Sequence, residues 1–263
     1  MTPTAAPALV GIDIAFIALV LFLGFFTWLV FWLHRESKRE GYPLEKDAAD
    51  LRMKSQIIGF PAPPPTKTYA TTQGDVAVAG GRPDTRPLAI KPVETWPGAP
   101  FEPTGDPLVD GVGPASWAER ADKPDVLFNN QPRLAPLRAA PDFHVETRDP
   151  NPVGMTVVAG NGETVGTIRD VWIDKAEYVI RYLEAETATS PGLSRRVLVP
   201  INFARIDGRA GKVHVKALFA KDFANVPGIK GDDVVTLLEE DKIMGYFGGG
   251  TLYASGKRLE PFL

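Results

Sequence analysis

A group of carboxylates interleaved with two arginines, between positions 169 and 186, is the part of this sequence that could do chemistry. Carboxylates within hydrogen-bond reach of one another can pass protons when burial and like charge raise some of their pKa values towards neutrality. The ordinary alternative is a solvated face of a β-domain, and the residues themselves leave both interpretations open. The group comprises Arg169, Asp170, Asp174, Glu177, Arg181, Glu184 and Glu186.

Signatures of enzymes and of metal sites are scarce. The three histidines, His34, His144 and His214, are far apart, and the sequence has no HExxH, no GxSxG and no paired-histidine spacing. Cysteine is absent, which excludes disulfides and thiolate ligands and fits a reducing cytoplasm. With a formal net charge of -3, nothing marks a nucleic-acid binder. We expect no active site, no cofactor or metal bound by the chain's own side chains, and no nucleic-acid partner.

Short strands are predicted around the carboxylates. Runs of β-branched, aromatic and aliphatic residues lie at 155–158, 167–174, 178–186, 196–201 and 212–218. Asn161 and Gly162 form a hairpin turn pair between the first two runs, because both residues tolerate positive φ. Several short strands at this spacing indicate a small antiparallel barrel or sandwich.

One helix is predicted near the C-terminus. Thr236 and Glu239 have the spacing of a capping box, which favours a helix over about 237–247. The three glycines at 248–250 are expected to end it.

An uninterrupted apolar run at 14–33 predicts a membrane anchor. As a helix these residues rise about 30 Å, the thickness of the hydrocarbon core of a bilayer. A cleaved signal peptide would have a basic residue before the run and a small-residue cleavage site after it, and the sequence has neither. We expect a transmembrane helix over 12–34. Gly11, Ala15 and Ala18 form a small-residue stripe that would let a neighbouring helix pack closely.

The basic residues that follow the run predict its orientation. Arg35, Lys38 and Arg39 follow the apolar stretch, whereas only Asp13 precedes it closely. Positive residues favour the cytoplasmic side, so residues 1–11 are expected in the periplasm and the large C-terminal part in the cytoplasm. The same three basic side chains could hold anionic lipid headgroups.

A proline-rich stretch separates the anchor from the predicted strands. Sixteen of the 25 prolines lie between 61 and 141, which disfavours long helices and central strands there. A disordered linker is one interpretation, but the stretch keeps several aromatic residues, which disordered segments usually lack. We expect a juxtamembrane segment at 35–60, an irregular but ordered segment at 61–151 laid on partner subunits, a barrel domain at 152–250 and a tail at 251–263.

Several motifs resemble one protein family, the H subunits of purple bacterial photosynthetic reaction centres. They are REGYPLE (39–45), PTGDPLVDGVGPASW (103–117), PLRAAPDFHV (136–145), DPNPVG (149–154) and VTLLEEDKIMGYFGGGTLYA (235–254), and they are long and collinear. The region from residue 152 resembles the PRC-barrel, which is named after this complex. The implied fold is a single N-terminal transmembrane helix followed by a cytoplasmic mainly-β domain, a small antiparallel PRC-type barrel, with a short C-terminal helix.

The resemblance implies a non-catalytic subunit that caps the L and M subunits, stabilises the quinone region and helps to carry protons to the secondary quinone. The complex would hold bacteriochlorophyll, bacteriopheophytin, quinones and non-haem iron in L and M, with antenna subunits and a cytochrome as further partners. Its location would be the bacterial inner, intracytoplasmic (chromatophore) membrane. By similarity, Glu177 lies at the quinone end of the proton route, with Asp174, Arg181 and Asp170 in the same cluster.

The sequence departs from the family at the expected point of proton uptake. Some members have surface histidines before the PLRAA-like motif, whereas residues 127–131 here read LFNNQ, and none of these titrates near pH 7. Uptake is expected to use other groups, with Asp122, Asp125 and His144 as candidates. A membrane-tethered barrel adaptor unrelated to photosynthesis is the alternative, and it predicts no particular sequence over 39–145.

Overall fold

The computed structural model describes residues 13–42, 44–45, 56–57, 59–72, 74–78, 86–95, 99–190 and 193–256. The chain divides into two compact units, one of residues 1–85 and 94–99, the other of residues 86–93 and 100–263.

The first unit begins with a long apolar helix, α1 (Ile14–Glu36). Asp13 caps it by accepting hydrogen bonds from the backbone N–H groups of Ala15 and Phe16, at 2.9 and 3.3 Å. None of its residues is buried, and in the described part of the chain it is the one helix long and apolar enough to cross a membrane. A 3₁₀ turn, Ser37–Arg39, follows it.

The described strands of the first unit form short hairpins. β1 (Leu44–Glu45) pairs with β2 (Gln56–Ile57), and β3 (Lys67–Thr71) pairs with β4 (Gly74–Val78), both antiparallel. Local strand pairing is therefore present in the proline-rich stretch, in pieces of at most five residues.

The second unit opens with elements that precede the main sheet. β5 (Ile90–Pro92) pairs antiparallel with β6 (Phe101–Pro103). The single-turn helix α2 (Pro107–Asp110) is capped by the Asp106 side chain, which accepts from the N–H of Leu108 at 3.0 Å. It ends at Gly111, whose φ of +65° is the left-handed conformation that glycine adopts without strain.

A seven-stranded sheet forms the body of the second unit. Six strands lie in the order β11-β10-β9-β8-β13-β12, and β7 pairs with β9 off this path. Their bounds are β7 Leu134–Pro136, β8 Thr156–Ala159, β9 Thr164–Asp174, β10 Val179–Ser190, β11 Leu193–Pro200, β12 Ala204–Asp207 and β13 Lys212–Val215.

The long strand β9 organises this sheet, because different strands pair with its two halves. β8 pairs with it near Thr167, and β7 pairs with it from Trp172 to Asp174, both antiparallel, while β10 follows its other edge. β8 and β13 pair in parallel, the one exception to antiparallel order among the described strands of the sheet. The predicted mainly-β barrel is confirmed, with the addition that the proline-rich stretch contributes β7.

The core of the second unit lies between the sheet and the C-terminal helix α3 (Leu237–Tyr253). Large side chains that are almost completely buried include Ile168, Trp172, Leu183, Leu198, Leu218, Ile243 and Phe247. Phe247 of α3 stacks with Phe203 and meets Phe223 edge-on, with ring centroids 5.9 and 6.4 Å apart.

The predicted start of α3 is confirmed, but its predicted end is wrong. The Thr236 side chain accepts from the N–H of Glu239, and the Glu239 carboxylate accepts from the N–H of Thr236, as in a capping box. The helix continues through the glycines at 248–250, which serve close packing. A Cβ at the preceding Gly245 would lie 2.7 Å from the carbonyl oxygen of Ser116. A Cβ at Gly249 would overlap the Cβ of Ala115, and one at Gly250 would lie 2.7 Å from the carbonyl oxygen of Ala217.

The predicted hairpin turn at Asn161 and Gly162 is confirmed, although the ends of the strands differ from those predicted. Asn161 and Gly162 connect β8 and β9, and the N–H of Gly162 donates to the carbonyl of Ala159 at 2.9 Å. Tyr178 lies in the β9–β10 turn, not in a strand, because its φ of +58° is left-handed.

Candidate functional site

The turn between β9 and β10 carries Glu177 and is shaped by Asp174. One carboxylate oxygen of Asp174 accepts from the N–H groups of Ala176 and Glu177, at 2.9 and 3.1 Å. The carbonyl oxygen of Asp174 accepts from the N–H of Tyr178 at 2.8 Å. These bonds close an Asx-type turn, a local role that aspartate fills readily. The position of Glu177 is thereby fixed by its own hairpin.

Arg133, immediately before β7, joins three carboxylates into what we term the Arg133 group: Arg133, Asp125, Asp174 and Glu177. Its guanidinium contacts both oxygens of Asp174, with Nε to Oδ2 at 2.9 Å, and it also donates to Glu177. Nη1 lies 3.4 Å from the Asp125 carboxylate. The planar guanidinium suits such multiple contacts. Arg133 was not among the residues predicted from the sequence, because it lies 41 residues from Asp174 along the chain.

The two acids that flank the β9–β10 turn differ sharply in exposure. The Asp174 side chain is 1% exposed, whereas that of Glu177 is 56% exposed. Burial alone would raise the pKa of Asp174, but the hydrogen bonds from Arg133 and from the backbone N–H groups outweigh burial and lower that pKa. Asp174 is therefore a fixed negative charge near neutral pH, and Glu177 presents its carboxyl to whatever covers the turn.

A cavity of about 320 Å³ adjoins the Arg133 group. Asp125, Arg133 and Asp174 line one part of it. Arg181 and Tyr182 of β10 and Glu240 of α3 also line it. The cavity thus brings the predicted Arg181 near the predicted Asp174 and adds groups that the sequence did not indicate.

Asp170 belongs to a second cluster, here termed the Arg138 network. Arg138 donates to Asp170 at 2.9 Å, to Glu184 at 2.8 Å and to Asp233 at 2.8 Å. The indole N–H of Trp172 donates to the same oxygen of Glu184 at 2.8 Å. The network consists of Arg138, Asp170, Trp172, Glu184, Arg196, Asp232 and Asp233.

The single cluster expected from the sequence is therefore divided, and this corrects the expectation. Asp170 shares no hydrogen bond or ion pair with Asp174 or Glu177, all three being described residues whose contacts are known. The pair Arg169 and Glu186 stands apart as well, on the outer face of β9 and β10. Period-two alternation along a strand cannot reveal this division, because the partners of each acid come from outside the strand.

The candidates for proton uptake are also separated by the structure. Asp125 lies in the Arg133 group. Asp122 instead pairs with Lys230 and accepts from the Thr236 hydroxyl at 2.9 Å, and the Lys230 contact is the main cause of its lowered pKa. His144 lines a separate, mostly apolar cavity of about 740 Å³ with Phe143 and Tyr178.

Two of the three basic residues at the end of α1 and directly after it, Lys38 and Arg39, bind protein acceptors. The ammonium of Lys38 is buried and donates to the carbonyl oxygen of Pro61 at 2.9 Å, so the expectation that Lys38 contacts a lipid headgroup is wrong. Arg39 pairs with Glu36 and also donates to the carbonyl of Pro65. Arg35 is exposed.

The predicted stripe of small residues on α1 is described only in part. Ala15 and Ala18 are exposed on α1, while Gly11 lies outside the described residues. Among the described residues, no group of three or more histidine or acidic side chains is arranged to hold a metal ion.

Protein-family models match both parts of this chain. The PRC-barrel domain model matches residues 144–220, so the second unit contains a PRC-barrel domain, in a chain whose first unit has a helix long and apolar enough to cross a membrane. The model for the N-terminal region of the photosynthetic reaction centre H-chain matches residues 8–139, half of the chain. The chain belongs to the reaction centre H-chain family.

Membership of this family establishes what kind of subunit the chain is and which subunits it associates with. The chain is a non-catalytic subunit of a photosynthetic reaction centre, associates with the L and M subunits, and belongs to a bacterial photosynthetic membrane. Pigments and quinones are bound elsewhere in the complex. The match over 8–139 also decides against the unrelated adaptor, which predicted no particular sequence in that region.

Proposed function

We propose that this chain caps the cytoplasmic face of the L and M subunits, stabilises the quinone acceptor region, and conducts protons from the cytoplasm to the secondary quinone. The observation that carries the proposal is an exposed carboxyl, Glu177, held by Arg133 at the end of a turn that Asp174 fixes. Reduction of a quinone to a quinol takes up two protons as well as two electrons. A quinone site shielded from water needs a defined group that delivers those protons.

Within this proposal the residues have different roles. Glu177 takes up and releases the proton, because it is the most exposed of the three acids of the Arg133 group. Asp174 stays ionised and, with Arg133 and Arg181, sets the local potential. Asp125, which is 38% exposed and lies 3.4 Å from Arg133, is the preferred point of proton uptake. Asp122, His144 and Asp170 have other neighbours and are not part of the proposed route.

The membrane arrangement follows from α1 and its flanks. The proposed orientation has the N-terminus in the periplasm and the barrel in the cytoplasm, because Arg35, Lys38 and Arg39 follow the apolar span. Exposed Arg35 is the proposed contact for an anionic headgroup. The face that carries Ala15 and Ala18 is proposed to pack against helices of the partner subunits.

The wider assembly is proposed on the family relationship. Bacteriochlorophyll, bacteriopheophytin, quinones and non-haem iron would be held by L and M. Antenna subunits and a cytochrome would bind elsewhere, within the intracytoplasmic membrane. Near-infrared absorption of bacteriochlorophyll that stays with the tagged chain during purification in mild detergent is the expected sign of this assembly.

Replacement of Glu177 tests the proton-conducting function. In the assembled complex, Glu177→Gln removes the titratable proton while keeping the size of the side chain, and we expect the second proton-coupled electron transfer to the quinone to slow by about tenfold or more. Transient absorption after a second flash measures this rate. Glu163→Gln, an exposed glutamate in the β8–β9 turn, is the matched control and should leave the rate unchanged. An unchanged rate in Glu177→Gln would refute the role of Glu177.

A further inference from the structure

The cavity beside the Arg133 group reaches a carboxyl with a different environment, Glu240 in the first turns of α3. Glu240 is half-buried, and one of its oxygens accepts from the hydroxyl of Tyr182 at 2.9 Å. Tyr182 itself is 3% exposed. The second carboxyl oxygen of Glu240 has no hydrogen-bond partner among the described residues, which leaves it available to water.

The size of the cavity suits a chain of water molecules. A volume of about 320 Å³ accommodates several waters, and the lining offers many polar partners. Because Glu240, Asp174 and Arg133 line the same cavity, water within it would connect the Glu240 carboxyl to the Arg133 group without crossing the apolar core.

Positive and negative side chains around Glu240 are equal in number along the cavity. Arg120, Arg133 and Arg181 face the cavity with Asp125, Asp174 and Asp241. All three of these acids already have a protein partner: Asp174 and Asp125 bind Arg133, and Asp241 lies near Arg120, at 3.8 Å. No described cation contacts the Glu240 carboxyl directly, so its environment is governed by burial and by a neutral hydroxyl.

We infer that Glu240 is a second proton-holding carboxyl, which stores a proton in this cavity and supplies it through cavity water to the Arg133 group, at Asp125. This inference rests on the proposed proton delivery to the quinone. It adds Glu240 as a proton donor that precedes Glu177 in the route. In the relay, the Glu240 O–H bond breaks as a cavity water accepts the proton, and that water chain donates a proton to the carboxylate of Asp125, which lines the cavity and shares Arg133 with Glu177. Glu240 is then reprotonated from solvent, so no electrons are exchanged and no other reactant is required.

The raised pKa of the Glu240 carboxyl agrees with this role. Burial raises the pKa of the Glu240 carboxyl above its usual range, and the Tyr182 hydrogen bond and the charge of Arg181 offset this only in part. Asp174 has the opposite behaviour, since its hydrogen bonds lower its pKa. Of these two acids on one cavity, Glu240 is therefore the one that can carry a proton nearer neutral pH.

Infrared difference spectroscopy of the assembled complex tests the inference directly. We expect a carbonyl stretch of a protonated carboxylic acid that shifts in D₂O, disappears in Glu240→Gln and persists in the control Glu163→Gln. Tyr182→Phe removes the hydrogen bond that favours the ionised carboxyl, so the titration midpoint of the same band should move to higher pH. Glu240→Gln should also slow the second proton-coupled electron transfer by about tenfold.

The outcomes separate this inference from the proposed function. A band that remains in Glu240→Gln, or a midpoint that does not rise in Tyr182→Phe, would overturn the assignment of a stored proton. A band that disappears while the rate stays at the wild-type value would overturn the relay. If Glu177→Gln leaves the rate unchanged, proton delivery by Glu177 fails, and the Glu240 band still reports whether that carboxyl holds a proton.

Discussion

The two arginines that flank β7 build two clusters from the same residue types. Arg133, before the strand, holds Asp174 and Glu177, and Arg138, after it, holds Asp170 and Glu184. The Arg133 group leaves Glu177 with a side chain that is 56% exposed. In the Arg138 network the central acid, Glu184, is 3% exposed and is also bonded to the Trp172 indole.

The surroundings of a carboxylate, and not its presence in a cluster, decide whether it can exchange a proton. Glu184 is itself buried and is held by two arginines and an indole N–H, so protonation of Glu184 would remove the anion that these three groups share. Glu177 can change its protonation state at little cost to the fold, because solvent or a partner subunit reaches it. We therefore assign stability to the Arg138 network and proton transfer to the Arg133 group.

The largest effect on stability is expected from Arg138→Ala. The substitution leaves Glu184 and Asp170 as nearly buried acids without their main cation, and we expect a loss of about 3 kcal/mol in the free energy of unfolding. Urea unfolding of the full chain in mild detergent, followed by tryptophan fluorescence, measures it. Arg205→Ala, at an exposed position of β12 without a described ion pair, should change stability by no more than about 0.5 kcal/mol. Equal losses in both variants would contradict the structural role of the network.

An intermediate effect, with a characteristic pH dependence, is expected from Asp174→Asn. Loss of the ion pair with Arg133 should cost about 2 kcal/mol at neutral pH, although asparagine can still accept the turn hydrogen bonds. The folded pKa of Asp174 lies below its unfolded value of about 3.9, so its stabilisation is complete well above that pH and is lost as the pH falls through the lowered pKa. The stability difference between wild type and variant should therefore shrink in acid.

A matched control isolates the contribution of Arg133 from that of the turn. Asp207 closes a similar turn by accepting from the N–H groups of Arg209 and Ala210, at 3.1 and 3.0 Å, and has no described ion pair. Asp207→Asn should change stability by less than about 0.5 kcal/mol and without the same acid dependence. If both variants respond alike, the arginine contributes nothing to the effect.

The smallest effect on stability is expected from Glu177→Gln. Its contact with Arg133 is solvent-accessible, and exposed ion pairs are worth no more than about 1 kcal/mol. We expect a change of less than about 0.5 kcal/mol by urea unfolding. A loss as large as that of Arg138→Ala would remove the distinction between the two clusters.

Features set by local chemistry were predictable from the sequence. The uncharged run predicted α1, the Asn161 and Gly162 pair predicted the β8–β9 turn, and the capping box predicted the start of α3. The end of α3 was not predictable, because Gly249 packs against Ala115 and Gly250 packs against Ala217, both of them distant in the chain, and neither glycine stops the helix.

The candidate site was predictable in its acids but not in its cations. Asp174, Glu177 and Arg181 were identified through a family resemblance, and the β9–β10 turn does carry the first two. Arg133 and Arg138 were missed because they lie in a proline-rich stretch whose pairing with β9 is a long-range contact. The available signal was an arginine on each side of an apolar segment, with Arg133 directly before Leu134–Pro136 and Arg138 two residues after it.

Proton uptake in the assembled complex, compared between the two clusters, tests the central claim most directly. A pH-indicator dye follows proton uptake after the second flash in Glu177→Gln and in Asp170→Asn, both of which remove one acid while keeping its size. The expected result is uptake slowed by about tenfold in Glu177→Gln and uptake at the wild-type rate in Asp170→Asn. Wild-type uptake in Glu177→Gln, or equally slowed uptake in both variants, would contradict the division between a proton-conducting Arg133 group and a stabilising Arg138 network.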